Sequence, residues 1–268
     1  MNKEINTIKL YIKDTPKAHE VESIVRGEII KNNLLIDNAS FQLSISIGGD
    51  GTFLKMLRDN RFNSDIYYAS INAGSLGFLS STDGQIDKFI NDLVNKNFNV
   101  RELNILKSSF YNENKVNEVF GINEFTIRKT DFSSLKCDIF VDDKLLDKFN
   151  GDGLVISTSI GSTGYNMALG GAIVDTDIKT LSITPIAPII NKVYKSFTNS
   201  IVISAKRKIT LVFNDNNNLC YLIDGKIELL NNINKIECVL TNDTIKCIMP
   251  IGYNYINNIR NKAIDSKE

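Results

Sequence analysis

Over its first hundred residues the chain alternates between two hydrophobic periods. INTIKLYI (5–12) reads as a strand. Thr15 followed by Pro16 supplies an N-cap and a first-turn proline, opening a helix through Val21, Ile24, Val25 and Ile29. Phe41, Leu43, Ile45 and Ile47 then alternate with Gln42, Ser44 and Ser46, which is the period of a strand. Phe53, Leu54, Met56 and Leu57 return at helical spacing. IYYASI (66–71) is a further apolar strand, and Thr82 with Gln85 predicts a capping box for a helix carrying Ile86, Phe89, Ile90 and Leu93. Strands alternating with helices imply a parallel sheet covered on both faces.

From about Val100 the texture changes. Short strands follow one another: VNEVFGINEFTIRK, KCDIFVDDKLLDKF, GLVISTS, TLSITPI, IVISA, ITLVF, CYLIDGKIELL, KIECVL and TIKCIM. Asp142-Asp143 and Asp224-Gly225 are turn signals between them. The expected fold class is therefore α/β plus β. An N-terminal Rossmann-like parallel sheet with flanking helices (1–99) precedes a β-rich, two-sheet domain (100–250). The tail regains helical spacing in YNYINNIRNKAI, so residues 251–268 are expected to pack back on the first domain.

Composition narrows the partners. Hydrophobic residues make up 43% and charged residues 23% of 268, as in a globular protein with a core. The formal net charge is zero, which offers no broad basic field for nucleic acid. No apolar run approaches the roughly 18 residues that span a membrane, and the charged N-terminus does not read as a signal peptide. A cytoplasmic protein is expected. The four cysteines, Cys137, Cys220, Cys238 and Cys247, form no CxxC pair and should be reduced. His19 is the only histidine, an expected surface residue, which argues against structural zinc and a serine-hydrolase triad.

The candidate chemistry starts at SISIGGDGTF (44–53), where a strand meets a helix across glycines. No lysine follows at P-loop spacing, and Gly49-Asp-Gly51 lacks the third glycine of GxGxxG. The case for phosphate binding is physical. Glycines admit positive φ and close approach of a ligand, and a new helix aims free N–H groups and its positive dipole end at the elbow. Asp50 would repel a phosphate, but suits a base that accepts a hydroxyl proton or a magnesium-side ligand. As a bare turn, Asp-Gly would need none of this.

A second cluster runs from Asn150 to Gly171, NGDGLVISTSIGSTGYNMALGG. Its glycines and small hydroxyl residues at a helix start make a donor-rich pocket for an anion or a sugar. Tyr165 could stack on a base or simply pack. Upstream, Asn123 and Glu124 interrupt the apolar pattern of GINEFTIRK, so one points inward or lies at a break. Their burial calls for a ligand partner, or for a bulge that the backbone satisfies.

Taken together, GGDGTFL, INEFTIRK, GDGLVISTSIGSTGYNMALGG and YLIDGK resemble the NAD kinase family, in the family's order from about residue 40 to 230. GGDGT alone is shared with diacylglycerol and sphingosine kinases and, more loosely, with phosphofructokinases; the long middle block is far more specific. The resemblance implies an N-terminal α/β domain and a C-terminal β-rich domain with the active site in the cleft between them. It implies transfer of the ATP γ-phosphoryl to the 2′-hydroxyl of the adenosine ribose of NAD, with a divalent metal, magnesium by expectation, and no permanently bound cofactor. Asp50 would accept the proton, with Gly48, Gly49, Gly51 and Thr52 around it. Asn123 and Glu124 match the adenosine-holding pair, and Asp152 the contact to the nicotinamide portion. Thr163, Tyr165 and Asn166 match the nucleotide-pocket block. Ala187 and Asp224 fall at further contact positions, Asp224 reaching in from a neighbouring subunit of a homodimer or homotetramer. Asn150 stands where an arginine often does, Ser159 and Ile160 where proline and threonine are usual, Gly164 where alanine is usual, and Ala168 where serine is frequent. The alternatives are a lipid kinase sharing the elbow and a non-catalytic NAD-binding regulator.

Overall fold

The computed structural model describes residues 4–74, 77–82, 85–112, 116–131, 133–192, 195–215, 217–230 and 232–260. In chain order these form β1 (Thr7–Ile12), α1 (Pro16–Lys31), β2 (Leu35–Ile36), β3 (Leu43–Gly48), α2 (Asp50–Asp59), β4 (Tyr67–Asn72) and α3 (Ile86–Val94). There follow β5 (Asn99–Tyr111), β6 (Val116–Gly121), β7 (Glu124–Lys129), β8 (Leu135–Val141), β9 (Lys144–Gly151) and β10 (Gly153–Thr158). A 3-10 turn (Ile160–Thr163) and α4 (Tyr165–Ala168) lead into β11 (Thr180–Ile186), β12 (Ile201–Ser204), β13 (Ile209–Val212), β14 (Leu219–Ile223), β15 (Lys226–Leu230), β16 (Lys235–Met249) and α5 (Tyr255–Ile259). The chain divides into two compact units, 1–103 with 243–268, and 104–242, the boundaries falling within β5 and beside the middle of β16.

In the first unit the strands run β2-β1-β3-β4, and the end of β16 pairs with β4. Every pairing here is parallel. Alternation gives β3 two characters. Leu43, Ile45 and Ile47 join the core made with Val25 and Ile29 of α1 and with Phe89, Ile90 and Leu93 of α3. Ser44, Ser46 and, on β4, Ser70 point the other way and are fully buried; Asn60 at the end of α2 donates to Ser44 Oγ (3.2 Å), placing α2 on that face. Thr15 is the N-cap of α1, with Pro16 in the first turn. Arg101 donates to the Tyr253 hydroxyl (3.1 Å) and lies over the Tyr253 and Tyr255 rings, tying the chain before α5 to this unit.

The second unit holds two groups of antiparallel strands. One sheet runs β12-β11-β10-β7-β14-β15, and the other contains the order β16-β13-β8-β9. Between them lies one core, in which Phe125, Ile127, Leu154, Ile156, Leu181 and Ile183 meet Cys137, Ile139, Leu211, Ile236 and Cys238. Phe110, Phe125 and Tyr221 stack within it, with centroids 4.9–5.9 Å apart.

Three local expectations differ from the structure. KIECVL and TIKCIM are one 15-residue strand, β16. β5, 13 residues long, carries no clean alternation in its sequence and was not among the expected strands. The capping box fails: Gln85, not Thr82, is the N-cap of α3, without a side-chain cap bond, so the helix starts three residues later at Ile86. The final residues of the helix expected over 253–264 lie outside the described residues beyond 260. The fold class otherwise follows the pattern, a flanked parallel sheet and a two-sheet β unit.

Candidate active site

In the first unit, β3 runs into α2 with Gly49 as N-cap and Asp50 as first helical residue. The glycines do not work as expected. Gly49 sits at φ −99°, and none of Gly48, Gly49 and Gly51 has positive φ, so left-handed freedom is not why they are there. A Cβ on Gly49 or Gly51 would meet nothing within 4 Å, so their lack of side chains leaves open space in front of the helix start. Gly48 is different, because a Cβ there would strike Thr52, whose N–H closes the first turn onto Gly49 O (2.9 Å).

Asp50 is held from behind. Its Oδ2 accepts the Phe78 N–H (2.9 Å) and its Oδ1 the Leu79 N–H (3.2 Å). Each oxygen keeps a further lone pair that can accept a substrate proton. The carboxylate passes so close to Gly77 that any side chain there would occupy its place. Asn72, at the end of β4, links the two strands of this arrangement. With its amide turned to suit its neighbours, it donates to Gly48 O (3.2 Å) and accepts from Gly77 N–H (2.9 Å) and Ser80 O–H (3.1 Å). Sequence reasoning missed Asn72 and Gly77. The available signal was INAGSLGFL, a glycine-bearing loop directly after a strand, as at the first elbow.

The second unit carries the other candidates in two places: Asn123, Glu124 and the 160–168 segment adjoin the Ser157 end of β10, and Asn150, Asp152 and Ala187 its Gly153 end. β6 ends at Gly121 and β7 begins at Glu124, so Ile122 and Asn123 form a break between two strands. The alternative of an inward-pointing residue within one continuous strand is thereby set aside. The break rests on Asp224. Its carboxylate accepts the N–H groups of Ile122 (2.8 Å), Asn123 (2.9 Å) and Glu124 (3.3 Å), and it is 4% exposed. Thr158 completes the fit from β10, donating its N–H to Asn123 O (2.9 Å) and its hydroxyl to Ile122 O (2.5 Å). Gly161 lies against the Asn123 main chain, where a Cβ would overlap it.

Glu124 is the electrostatically unusual group. Burial, and then the neighbouring Asp224 charge, push its carboxyl up to about 7, opposed by the Tyr165 main-chain N–H. Its Oε2 is buried and has no hydrogen-bond partner. That oxygen fills the space beside Gly164, where an alanine methyl would come within 2.8 Å of it. Glycine at 164 and this carboxyl position therefore fit one another.

The remaining candidates divide. Asn166 is fully buried and internally bonded: its amide donates to Ser162 O and Ala172 O (both 3.1 Å) and accepts from the Thr184 hydroxyl (2.6 Å). It fixes the 162–172 loop. Asn150 is 3% exposed; its main chain bonds Ser196 Oγ (2.8 Å) and Ile189 N–H (2.8 Å), while its side-chain Oδ1 has no partner. Asp152 is exposed between β9 and β10, its N–H on Ile186 O (2.9 Å). Ala187, also exposed, takes φ +42°, a conformation that costs a non-glycine residue energy. Thr163 and Tyr165 are half-buried. Among the described residues no three histidine, cysteine, aspartate or glutamate side chains gather as a metal site. Nor is any described helix long and apolar enough to cross a membrane.

Comparison with known proteins identifies the family. Residues 122–245 match the family model for the ATP-NAD kinase C-terminal domain. The chain is 32% identical to the NAD kinase of Finegoldia magna over 98% of its own length and all of that protein. It is 33% identical to the NAD kinase of Flavobacterium johnsoniae over 87% of its length and 79% of that protein. In fold it resembles yeast NADH kinase complexed with NADH (TM-score 0.85, 18% identity, covering all of this chain and 90% of that one). It also resembles an NAD kinase from Archaeoglobus fulgidus in complex with ATP (TM-score 0.74, 20% identity, covering 96% and 97%). The 32% identity across the whole length makes this chain a member of the NAD kinase family.

Proposed function

We propose that this protein transfers the γ-phosphoryl group of ATP to the 2′-hydroxyl of the adenosine ribose of NAD, giving NADP. The observation that carries the reading is Asp50: a carboxylate oriented by two N–H groups at a helix start, with glycines that leave open space beside it. Phosphoryl transfer asks for positioning and charge stabilisation more than covalent work from the protein. Asp50 accepts the proton of the attacking hydroxyl, and the N–H groups at the start of α2, with Gly48, Gly49, Gly51 and Thr52, face the phosphates. The α/β unit thus supplies the chemistry.

The β-rich unit holds the dinucleotide through Asn123, Glu124, Asp152, Thr163, Tyr165 and Ala187. Asn150 Oδ1, buried without a partner, adds an acceptor at the Asp152–Ala187 end. Asn166 and Asp224 contribute by holding the loop and the turn rather than by contact. Magnesium enters as part of the ATP substrate. By family likeness the protein works in the cytoplasm as a homodimer or homotetramer.

The test is to incubate purified protein with NAD and magnesium-ATP and to detect NADP with an NADP-specific dehydrogenase. Asp50→Asn is expected to lose turnover on the order of 10²–10⁴-fold. A folded wild-type protein that binds NAD and makes no NADP would leave it a regulator instead; one that binds no NAD would point to lipid acceptors.

A further inference from the structure

Asp224 was expected to touch the nucleotide from a neighbouring subunit. Its carboxylate is instead engaged within its own chain, on three consecutive main-chain N–H groups. Those residues are the two of the break, Ile122 and Asn123, and the first of β7, Glu124. The hairpin places Asp224 there: it and Gly225 take φ +47° and +78° between β14 and β15, and Asp224 N–H bonds Glu124 O (3.2 Å). Gly121 leaves room for it, since a Cβ there would stand 3.0 Å from the Asp224 carboxyl carbon. The carboxyl group is thus enclosed, oriented and next to Glu124.

We propose that Asp224 is a positioning residue with two effects on dinucleotide binding: it locks the Asn123–Glu124 turn, and its charge makes affinity depend on a proton carried by Glu124. The inference rests on the reading of this turn as part of the NAD site. Three hydrogen bonds to the ionised form keep Asp224 the better acceptor of the pair. Glu124 has one oxygen facing the Tyr165 N–H and the other buried without a partner, so it is the member that takes the proton. The groups packed around it fit this assignment. The β14–β15 turn brings the Asp224 charge, β10 brings the uncharged Ser157 across the ladder, and the 160–168 segment brings Gly164 and the main chain of the phenol-bearing Tyr165. A dinucleotide adds two phosphate charges, so it binds best when Glu124 is neutral and can donate through Oε2. Above the titration point, binding draws one proton from solvent.

The experiment measures the KM for NAD and kcat from about pH 5 to about pH 9 in wild type, Asp224→Asn and Glu124→Gln. Wild-type KM is expected to rise as pH passes through about 7. Glu124→Gln removes that step. Asp224→Asn moves it to lower pH and raises KM roughly tenfold, with kcat within about twofold, since one acceptor oxygen is replaced by a donor. A wild-type KM without the step, or a step indifferent to both replacements, overturns the proposal. If Asp224→Asn fails to fold, Glu124→Gln alone decides. Should the wild type make no NADP, the infrared carboxyl stretch of Glu124, identified by its loss in Glu124→Gln, is followed against pH without substrate. A protonated band that persists to about pH 7 supports the coupling even then, whereas its absence below neutrality overturns it.

Discussion

The elbow at Gly48–Thr52 in the first unit and the turn at Ile122–Glu124 in the second are built in opposite ways. At the elbow the glycines Gly49 and Gly51 look onto open space, and the one charged group is steadied from behind by two N–H bonds. At the turn the glycines are filled: Gly161 meets the Asn123 main chain and Gly164 the Glu124 carboxyl. The elbow leaves open space at a helix start. The turn is a piece of backbone clamped from three sides, by Asp224, Thr158 and Gly161. Glycine thus leaves open space in one place and allows close protein packing in the other, and only the structure tells them apart.

That contrast can be broken most sharply by moving a methyl group between the two places. Gly49→Ala should still fold, at a cost of no more than about 1 kcal/mol for a poorer N-cap, because φ −99° suits alanine and the added methyl meets no protein atom. Its turnover should nevertheless fall on the order of a hundredfold, as the methyl stands where phosphate must approach. Gly161→Ala should do the reverse, costing roughly 1–3 kcal/mol of stability in chemical denaturation through overlap with Asn123. Equal stability losses in the two variants would erase the distinction.

Glu124 sharpens it further. Its carboxyl stands at about 7 in the folded chain against 4.5 ordinarily, so the folded state binds the proton more tightly than the unfolded one. The stability it contributes is complete below about pH 4.5 and is lost as pH rises through about 7. Glu124→Gln should therefore match wild type in melting temperature at about pH 4.5 and exceed it at about pH 8, by a few degrees. Parallel melting curves across that range would remove the strained carboxyl from the account.

The smallest expected effect lies far from the site. Asp142 and Asp143 turn the β8–β9 hairpin at φ +48° and +65°, as Asp224 and Gly225 turn β14–β15. Asp143→Gly should raise stability by up to about 1 kcal/mol by relieving the left-handed conformation, with turnover unchanged. A loss of activity there would contradict a purely structural hairpin.

The elbow was legible because its parts are contiguous: a strand, three glycines, an aspartate and a helix lie within ten residues. Both hairpin turns were legible for the same reason. The clamp on Asp50 was not, because Asn72 and Gly77–Leu79 reach it through the fold. The turn was half legible. The break at Asn123 disturbs the apolar alternation, but Asp224 lies about a hundred residues further on, and its Asp-Gly signature announces only a hairpin. β16 reads as two strands because Thr241–Thr244 resembles a turn, yet the chain stays extended through that exposed stretch. The Thr82–Gln85 capping box met the spacing rule and lost to a later helix start at Ile86.

The proposed reaction divides its labour, with chemistry at the elbow and dinucleotide binding at the turn. The most direct test is the equilibrium affinity of Asp50→Asn for NAD, set beside its turnover. A dissociation constant within about threefold of wild type is expected while turnover falls by a hundredfold or more. A dissociation constant that rises in step with the lost turnover would make Asp50 a binding residue and contradict that division.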